Sequence, residues 1–162
     1  MSTLFAVALI AWIAWIAVNF LLMAAFSALD EPTSAQFDGF RIKMPAWLRL
    51  ALTERELAAF RQHEEGHRAH RHVWKNFARV CFFIGLTPEE RRRQEFEADD
   101  SCDEPIALAS GIRKTSRHPF DLQRAERLEI RVRISWTNTE YAGTTPAPHA
   151  RDGRNTKEAS SI

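Results

Sequence analysis

The stretch Leu52–His72, LTERELAAFRQHEEGHRAHRH, decides the fold. It opens with a capping box, because Thr53 can accept a hydrogen bond from the first helical turn while Glu56, three positions on, can accept one from the backbone N–H of Thr53. Apolar residues then recur at helical spacing on a stripe that also carries histidines: Leu57, Phe60, His63, His67, His70, Trp74, Phe77 and Cys81. The pattern predicts one helix from Thr53 to about Phe83 with its histidine stripe turned inward.

Within this helix, His63 and His67 are four residues apart, and Glu64 directly follows the first histidine. Side chains at positions i and i+4 share a helix face, so two imidazoles can bind one Zn²⁺ at about 2.0–2.1 Å. Glu64 would lie beside the metal without binding it, as the general base for a zinc-activated water. This H-E-x-x-H pattern is typical of zinc metallopeptidases. The alternative is a helix whose histidines are solvated among Arg61, Arg68 and Arg71.

A third ligand is available on the next predicted helix. The segment Thr87–Glu90 has the cap, the proline and the glutamate of a helix start, and the helix that follows carries Glu95 and Asp99 on one face. Glu95 can complete a site with three protein ligands and one open position, while Asp99 can hydrogen-bond the other ring nitrogen of a ligating histidine. The small Ala98 would let the two helices approach closely. The alternative is a solvated acidic face that balances Arg91–Arg93.

The first 29 residues predict a membrane anchor. They contain no charged side chain, and Leu4–Phe26 is long enough as a helix to cross a hydrocarbon core of roughly 30 Å. A cleavable signal peptide is the alternative, but its apolar region spans about 7–15 residues behind a basic segment, which this sequence lacks. We expect a single-pass membrane protein whose catalytic domain is cytoplasmic, because basic residues follow the span closely: Arg41, Lys43 and Arg49.

Residues 30–136 are predicted to form one small, mainly α-helical domain. Gln36–Met44 alternates enough apolar and polar residues for a short strand, and further helices are predicted over Asp103–Lys114 and Asp121–Ile134. From Thr137 the sequence loses periodicity, so 137–162 is predicted to be a disordered tail.

Charge and cysteine content exclude some classes of protein. With 22 Lys+Arg against 21 Asp+Glu, the formal net charge is +1, which argues against a nucleic-acid partner. Cys81 and Cys102 do not have the spacing of a zinc knuckle or the number needed for a disulfide framework. His70 and His72 are expected to be solvated rather than spare ligands, because one zinc ion needs only three protein ligands.

HEEGH at His63–His67 followed by EFEAD at Glu95–Asp99 resembles the gluzincin peptidases of the HtpX, Oma-type and CAAX prenyl endopeptidase group, marked by HExxH and ExxxD. The likeness extends to LTERELAAF before the first motif, to HRAHRH at its end, and to HPFDLQRAERL at His118–Leu128. It covers about Phe40 to Ile134.

This resemblance implies a zincin-like helical domain with a short strand edging the cleft, and endopeptidase activity on a protein or peptide substrate. It also implies one Zn²⁺ per chain, held by His63, His67 and Glu95. Arg124 matches the arginine of the closing segment and, by the same resemblance, would help to stabilise the oxyanion.

Two alternatives remain open. Only 28 positions (95 − 67 = 28) separate His67 from Glu95, which makes this a minimal, single-span version of the family and also resembles ImmA/IrrE-type peptidases that clear repressors. Those usually have asparagine at the position of Asp99 and lack the closing segment. From another class, the alternative is a non-catalytic membrane-tethered adaptor, for which Glu64 would have no purpose beside the metal.

Overall fold

The computed structural model describes residues 3–29 and 32–143, with side chains up to residue 136. This described part is mainly α-helical, as predicted, with seven helices and one two-stranded sheet. In chain order, the elements are α1 (Thr3–Leu29), β1 (Gln36–Phe37), β2 (Ile42–Lys43), α2 (Ala46–Ala51), α3 (Glu54–Ala69), α4 (His72–Cys81), α5 (Pro88–Asp100), α6 (Pro105–Thr115) and α7 (Pro119–Gly143).

The helix α1 is long and apolar enough to cross a membrane. The mean hydropathy of its most apolar window is 2.4, and none of that window is buried against the rest of the described chain. Two tryptophans in its middle contact the last residue of α4 and the segment that follows it. The Nε1–H of Trp12 donates to the carbonyl of Cys81 at 3.1 Å, and Trp15 stacks on Phe83 with ring centroids 5.3 Å apart. The expected N-terminal apolar helix is therefore present, and it lies alongside α4.

The core of the domain lies where α3, α6 and α7 meet. Its buried residues are mostly small or aliphatic: Ala59, Cys102, Ala107, Leu108, Ala109, Ile112, Ala125 and Leu128. The helix α5 packs against α3 as well, so α3 is held from two directions. Both predicted capping boxes are formed, at Thr53 with Glu56 and at Thr87 with Glu90, and they set where α3 and α5 begin.

The predicted single helix from Thr53 to about Phe83 is wrong, because the helix is interrupted between α3 and α4. Arg71 takes a left-handed conformation with φ 57°, which costs a non-glycine residue roughly 1–2 kcal/mol. The break offsets this cost by burying His72 and by turning the aromatic face of α4 onto α1, where Trp74 and Phe77 contact Phe20. The histidines of Leu52–His72 therefore lie on two helices rather than one.

Three other elements differ from the expected ones. The predicted strand over Gln36–Met44 is a tight hairpin, in which Phe37 pairs with Ile42 and Gly39 supplies a positive φ of 99° in the turn. The short α2 was not predicted. The helix α7 continues to Gly143, so residues 137–143 of the predicted tail are helical, and residues 144–162 lie outside the described residues. By contrast, α6 falls close to its predicted span over Asp103–Lys114.

Candidate metal centre

The three predicted ligands meet at one point between α3 and α5. The Nε2 atoms of His63 and His67 are 3.2 Å apart. Oε2 of Glu95 lies 3.5 Å from Nε2 of His63, and Oε1 of Glu95 lies 3.6 Å from Nε2 of His67. Bonds of about 2.0–2.1 Å around a tetrahedral ion require ligand atoms roughly 3.3–3.4 Å apart. The three side chains therefore come close to the spacing that one metal ion of this kind requires, with a different Glu95 oxygen nearest to each histidine.

Close packing of α3 on α5 brings these ligands together. Gly66, inside the HEEGH motif, faces Ala98, and a Cβ built on this glycine would lie 3.0 Å from the Ala98 Cα and carbonyl oxygen. Ala98 itself is completely buried. The predicted close approach at Ala98 is thus present, and Gly66 forms the other half of the contact.

Glu64 follows the first ligand and is buried beside the edge of the sheet. The backbone N–H of Phe37, in β1, donates to its Oε2 at 2.7 Å. Burial raises the pKa of the Glu64 carboxyl above its ordinary value. The structure therefore places at this position a carboxylate that is fixed by the sheet and has a raised proton affinity, as a general base requires.

Asp99 supports His63, as the sequence predicted. Its Oδ1 lies 2.9 Å from His63 Nδ1, and its side chain is fully buried. This contact orients the imidazole so that Nε2 points at the other two ligands. Although burial opposes a charge on the ring, the carboxylates of Asp99 and Glu95 raise the pKa of His63 to about 9. The same carboxylates favour a metal cation at this nitrogen.

Arg124 lies under the ligands and pairs with two carboxylates. Its Nη1 is 2.9 Å from Glu95 Oε2, while its Nη2 and Nε lie 2.7 and 3.0 Å from the oxygens of Asp99. This guanidinium therefore holds the candidate ligand Glu95 and the hydrogen-bond partner of the candidate ligand His63. Its role at an oxyanion, implied by the resemblance, stays a prediction.

The charges around the centre leave room for a divalent cation. Although burial opposes ionisation, the two histidines and Arg124 keep the pKa of Glu95 well below its ordinary value. Asp99 is held in its charged form in the same way, by Arg124 and His63, although burial opposes its ionisation and its pKa is lowered. A metal cation bound at His63 would take the place of the ring proton that these carboxylates stabilise.

The expectation that His72 is solvated is wrong. Only 2% of this residue is exposed, and its Nδ1 lies 2.8 Å from Nδ1 of His67. On its other side, His72 Nε2 is 2.9 Å from Glu97 Oε2. His70 is exposed, as expected. The sequence around His72 does not predict its position. His72 faces the centre only because the helix is interrupted at Arg71, where no glycine or proline indicates a helix end.

A cleft of about 790 Å³ opens over the centre and is large enough for several residues of a peptide. One edge is formed by the extended segment that ends in β1. The cleft is lined by all three candidate ligands, Glu64 and Arg124. Its apolar walls come from several elements: Phe37, Leu48, Phe60, Leu86 and Phe120.

No protein-family model, no curated protein and no solved structure matches this chain. The described residues define a mainly helical domain with a buried His-His-Glu cluster that could hold a metal ion, joined to one helix able to span a membrane.

Proposed function

We propose that this protein is a membrane-anchored zinc-dependent endopeptidase of the gluzincin type. The observation that carries the proposal is the separation of the ligand atoms of His63, His67 and Glu95, 3.2 to 3.6 Å, next to the buried carboxylate of Glu64. A site that holds zinc only for structure is normally closed by a fourth protein ligand and needs no base. The cleft over the centre gives a peptide access to this site.

The roles of the residues follow from their contacts. Zinc, when bound by the two histidines and Glu95, would supply a Lewis acid that polarises a peptide carbonyl and lowers the pKa of water. Glu64 takes the proton of the attacking water on a carboxylate oxygen and passes it to the nitrogen of the leaving amine. The N–H of Phe37 fixes Oε2 of Glu64, and we assign the proton transfer to Oε1.

We place the domain at a membrane surface. The helix α1 supplies the anchor, with the apolar length and exposure that a lipid-facing helix requires. Basic residues soon after it favour a cytoplasmic domain: Arg41, Lys43 and Arg49. The substrate in this proposal is a protein or an extended peptide that fits the cleft.

The proposal is tested by Glu64→Gln in the full chain, purified in detergent. The substitution keeps the size of the side chain and removes the base, so cleavage of an unfolded protein should fall by about 10²- to 10⁴-fold. Zinc content should stay at one ion per chain, because Glu64 is not a ligand. The measurements are a peptide-release assay and elemental analysis of the same samples.

The matched control is Glu65→Gln, which makes the same chemical change on the exposed neighbour. Its cleavage rate should equal that of the wild type. Equal rates for Glu64→Gln and wild type would contradict the assignment of the base. A wild-type protein that binds zinc but cleaves no member of a broad peptide library would favour the adaptor.

A further inference from the structure

A chain of two hydrogen-bond contacts leads from the proposed metal ligand His67 to the protein surface. The Nδ1 atoms of His67 and His72 are 2.8 Å apart, and Nε2 of His72 is 2.9 Å from Oε2 of Glu97. His72 is buried, whereas more than a third of the Glu97 side chain is exposed. His67 therefore contacts a buried histidine on the side of its ring that faces away from the other ligands.

The two rings must hold their protons in one particular arrangement. Nε2 of His67 points at the other ligand atoms, so a neutral His67 that binds a metal there carries its proton on Nδ1. That proton can be donated across 2.8 Å only if Nδ1 of His72 accepts it. The proton of a neutral His72 is then on Nε2, where it is donated to Glu97. The tautomer of His67 therefore determines the tautomer of His72.

We infer that His72 and Glu97 position the metal ligand His67, through the hydrogen-bond chain His67–His72–Glu97. This inference rests on the proposed zinc site and adds two residues to it. Glu97 is two residues after Glu95 on α5 and therefore lies about 200° around the helix from it. From that other face, Glu97 does not support His67 directly. His72, brought inward by the break at Arg71, bridges that distance.

The competing interpretation is a second metal site, since ligand atoms of His70, His72 and Glu97 lie within 4.8 Å of one another. The orientation of the rings argues against it. The rings of His70 and His72 are stacked with an interplanar angle of 12° and centroids 5.4 Å apart. Their lone pairs lie in two nearly parallel, separate ring planes, so they do not converge on one ion at about 2 Å. Both ring nitrogens of His72 also already have partners.

The test is the zinc affinity of His72→Phe in the full chain, measured by competition with a chromophoric chelator. Phenylalanine keeps a ring in the buried position but leaves the Nδ1 proton of His67 without an acceptor. We expect the dissociation constant to rise by about 10- to 100-fold. Glu97→Ala should weaken binding by about tenfold, and Glu97→Gln, which keeps an acceptor oxygen, should weaken it less. The matched control His70→Phe should bind zinc as the wild type does.

Two further measurements separate positioning from general loss of packing. The absorption spectrum of the cobalt-substituted protein should shift in His72→Phe and not in His70→Phe, because only the first variant frees a metal ligand. In the wild-type zinc protein, ¹⁵N NMR should find the His72 proton on Nε2, and this result does not require any variant to fold.

Three outcomes would count against these roles, each in a different way. A His72→Phe variant with wild-type zinc affinity, or a His72 proton on Nδ1, would overturn the hydrogen-bond chain alone. Two zinc ions per wild-type chain, with one lost in both His70→Phe and His72→Phe, would establish the second metal site instead. A wild-type chain that binds no zinc would overturn the proposed function as well.

Discussion

The contact between Gly66 and Ala98 should control whether the metal centre forms. A methyl group at position 66 would lie 3.0 Å from the Ala98 backbone and from Cβ of Ser101, whereas ordinary contacts begin at 3.4 Å. In Gly66→Ala, α5 must therefore retreat by about 0.4 Å (3.4 − 3.0) from α3. Because the obstructing atoms include backbone, a side-chain rotation alone cannot relieve the clash.

This displacement is large for a metal site and moderate for the fold. Metal–ligand distances in proteins hold to within about 0.2 Å, so a retreat of α5 should pull Glu95 away from the histidines and weaken zinc binding by roughly 10- to 100-fold. Overpacking costs about 1–3 kcal/mol, while replacing glycine by alanine inside a helix returns about 1 kcal/mol. The free energy of unfolding should therefore fall by no more than about 2 kcal/mol.

Zinc affinity and denaturant unfolding of Gly66→Ala check both numbers. The control is Gly85→Ala, since no atom outside its chain neighbours lies within 4 Å of a Cβ at that position. This control should bind zinc as the wild type does. If Gly66→Ala bound zinc normally and gained stability, helix propensity would outweigh the contact, and the argument that α3 and α5 must touch there would fail.

The ligands, a buried carboxylate and the membrane topology can each be tested separately. His63→Ala, His67→Ala and Glu95→Ala should each lose zinc, measured by elemental analysis, since three protein ligands leave no spare; retention in Glu95→Ala would move the third ligand elsewhere. Although burial opposes ionisation, Lys114, Ser110 and the cap at Thr53 lower the pKa of Glu56 from 4.5 to about 2. The ionised carboxylate therefore stabilises the fold by about 3 kcal/mol above pH 4.5, and this contribution is lost as the pH falls from 4.5 to 2. The difference in unfolding free energy between wild type and Glu56→Gln should shrink across that interval. A reporter fused after Ile162 should be cytoplasmic, and an external signal would reverse the topology.

The sequence correctly predicted the features that depend on residues close together in the chain, namely the helix starts and the side chains that share a helix face. Both capping boxes depend on residues three positions apart, and α3 and α5 begin where they indicate. The histidine pair and the pair of Glu95 with Asp99 each share a helix face by spacing alone. The need for a third protein ligand added the expectation that these faces meet, and the structure brings them together.

Long-range packing decided the features that the sequence did not predict. The stretch around Arg71 contains neither glycine nor proline, so no local signal ends the helix there. The break becomes favourable only through contacts of His72 and α4 with distant residues. The hairpin of β1 and β2 is similar, because two residues per strand give almost no periodicity to detect. Phe37 donates to Glu64 from that hairpin, a contact that no spacing along the chain indicates.

The helix α5 carries the proposed ligand Glu95 and both carboxylates that contact the histidine chain. Asp99 reaches His63 directly, from the same face as Glu95, and Glu97 reaches His67 only through His72. One helix thus sets the orientation of both imidazoles, so any movement of α5 relative to α3 should change three metal contacts together. Both variants should weaken zinc binding by about 10- to 100-fold, and within that range Gly66→Ala should lie above His72→Phe, because the first change displaces all of these groups and the second releases only one.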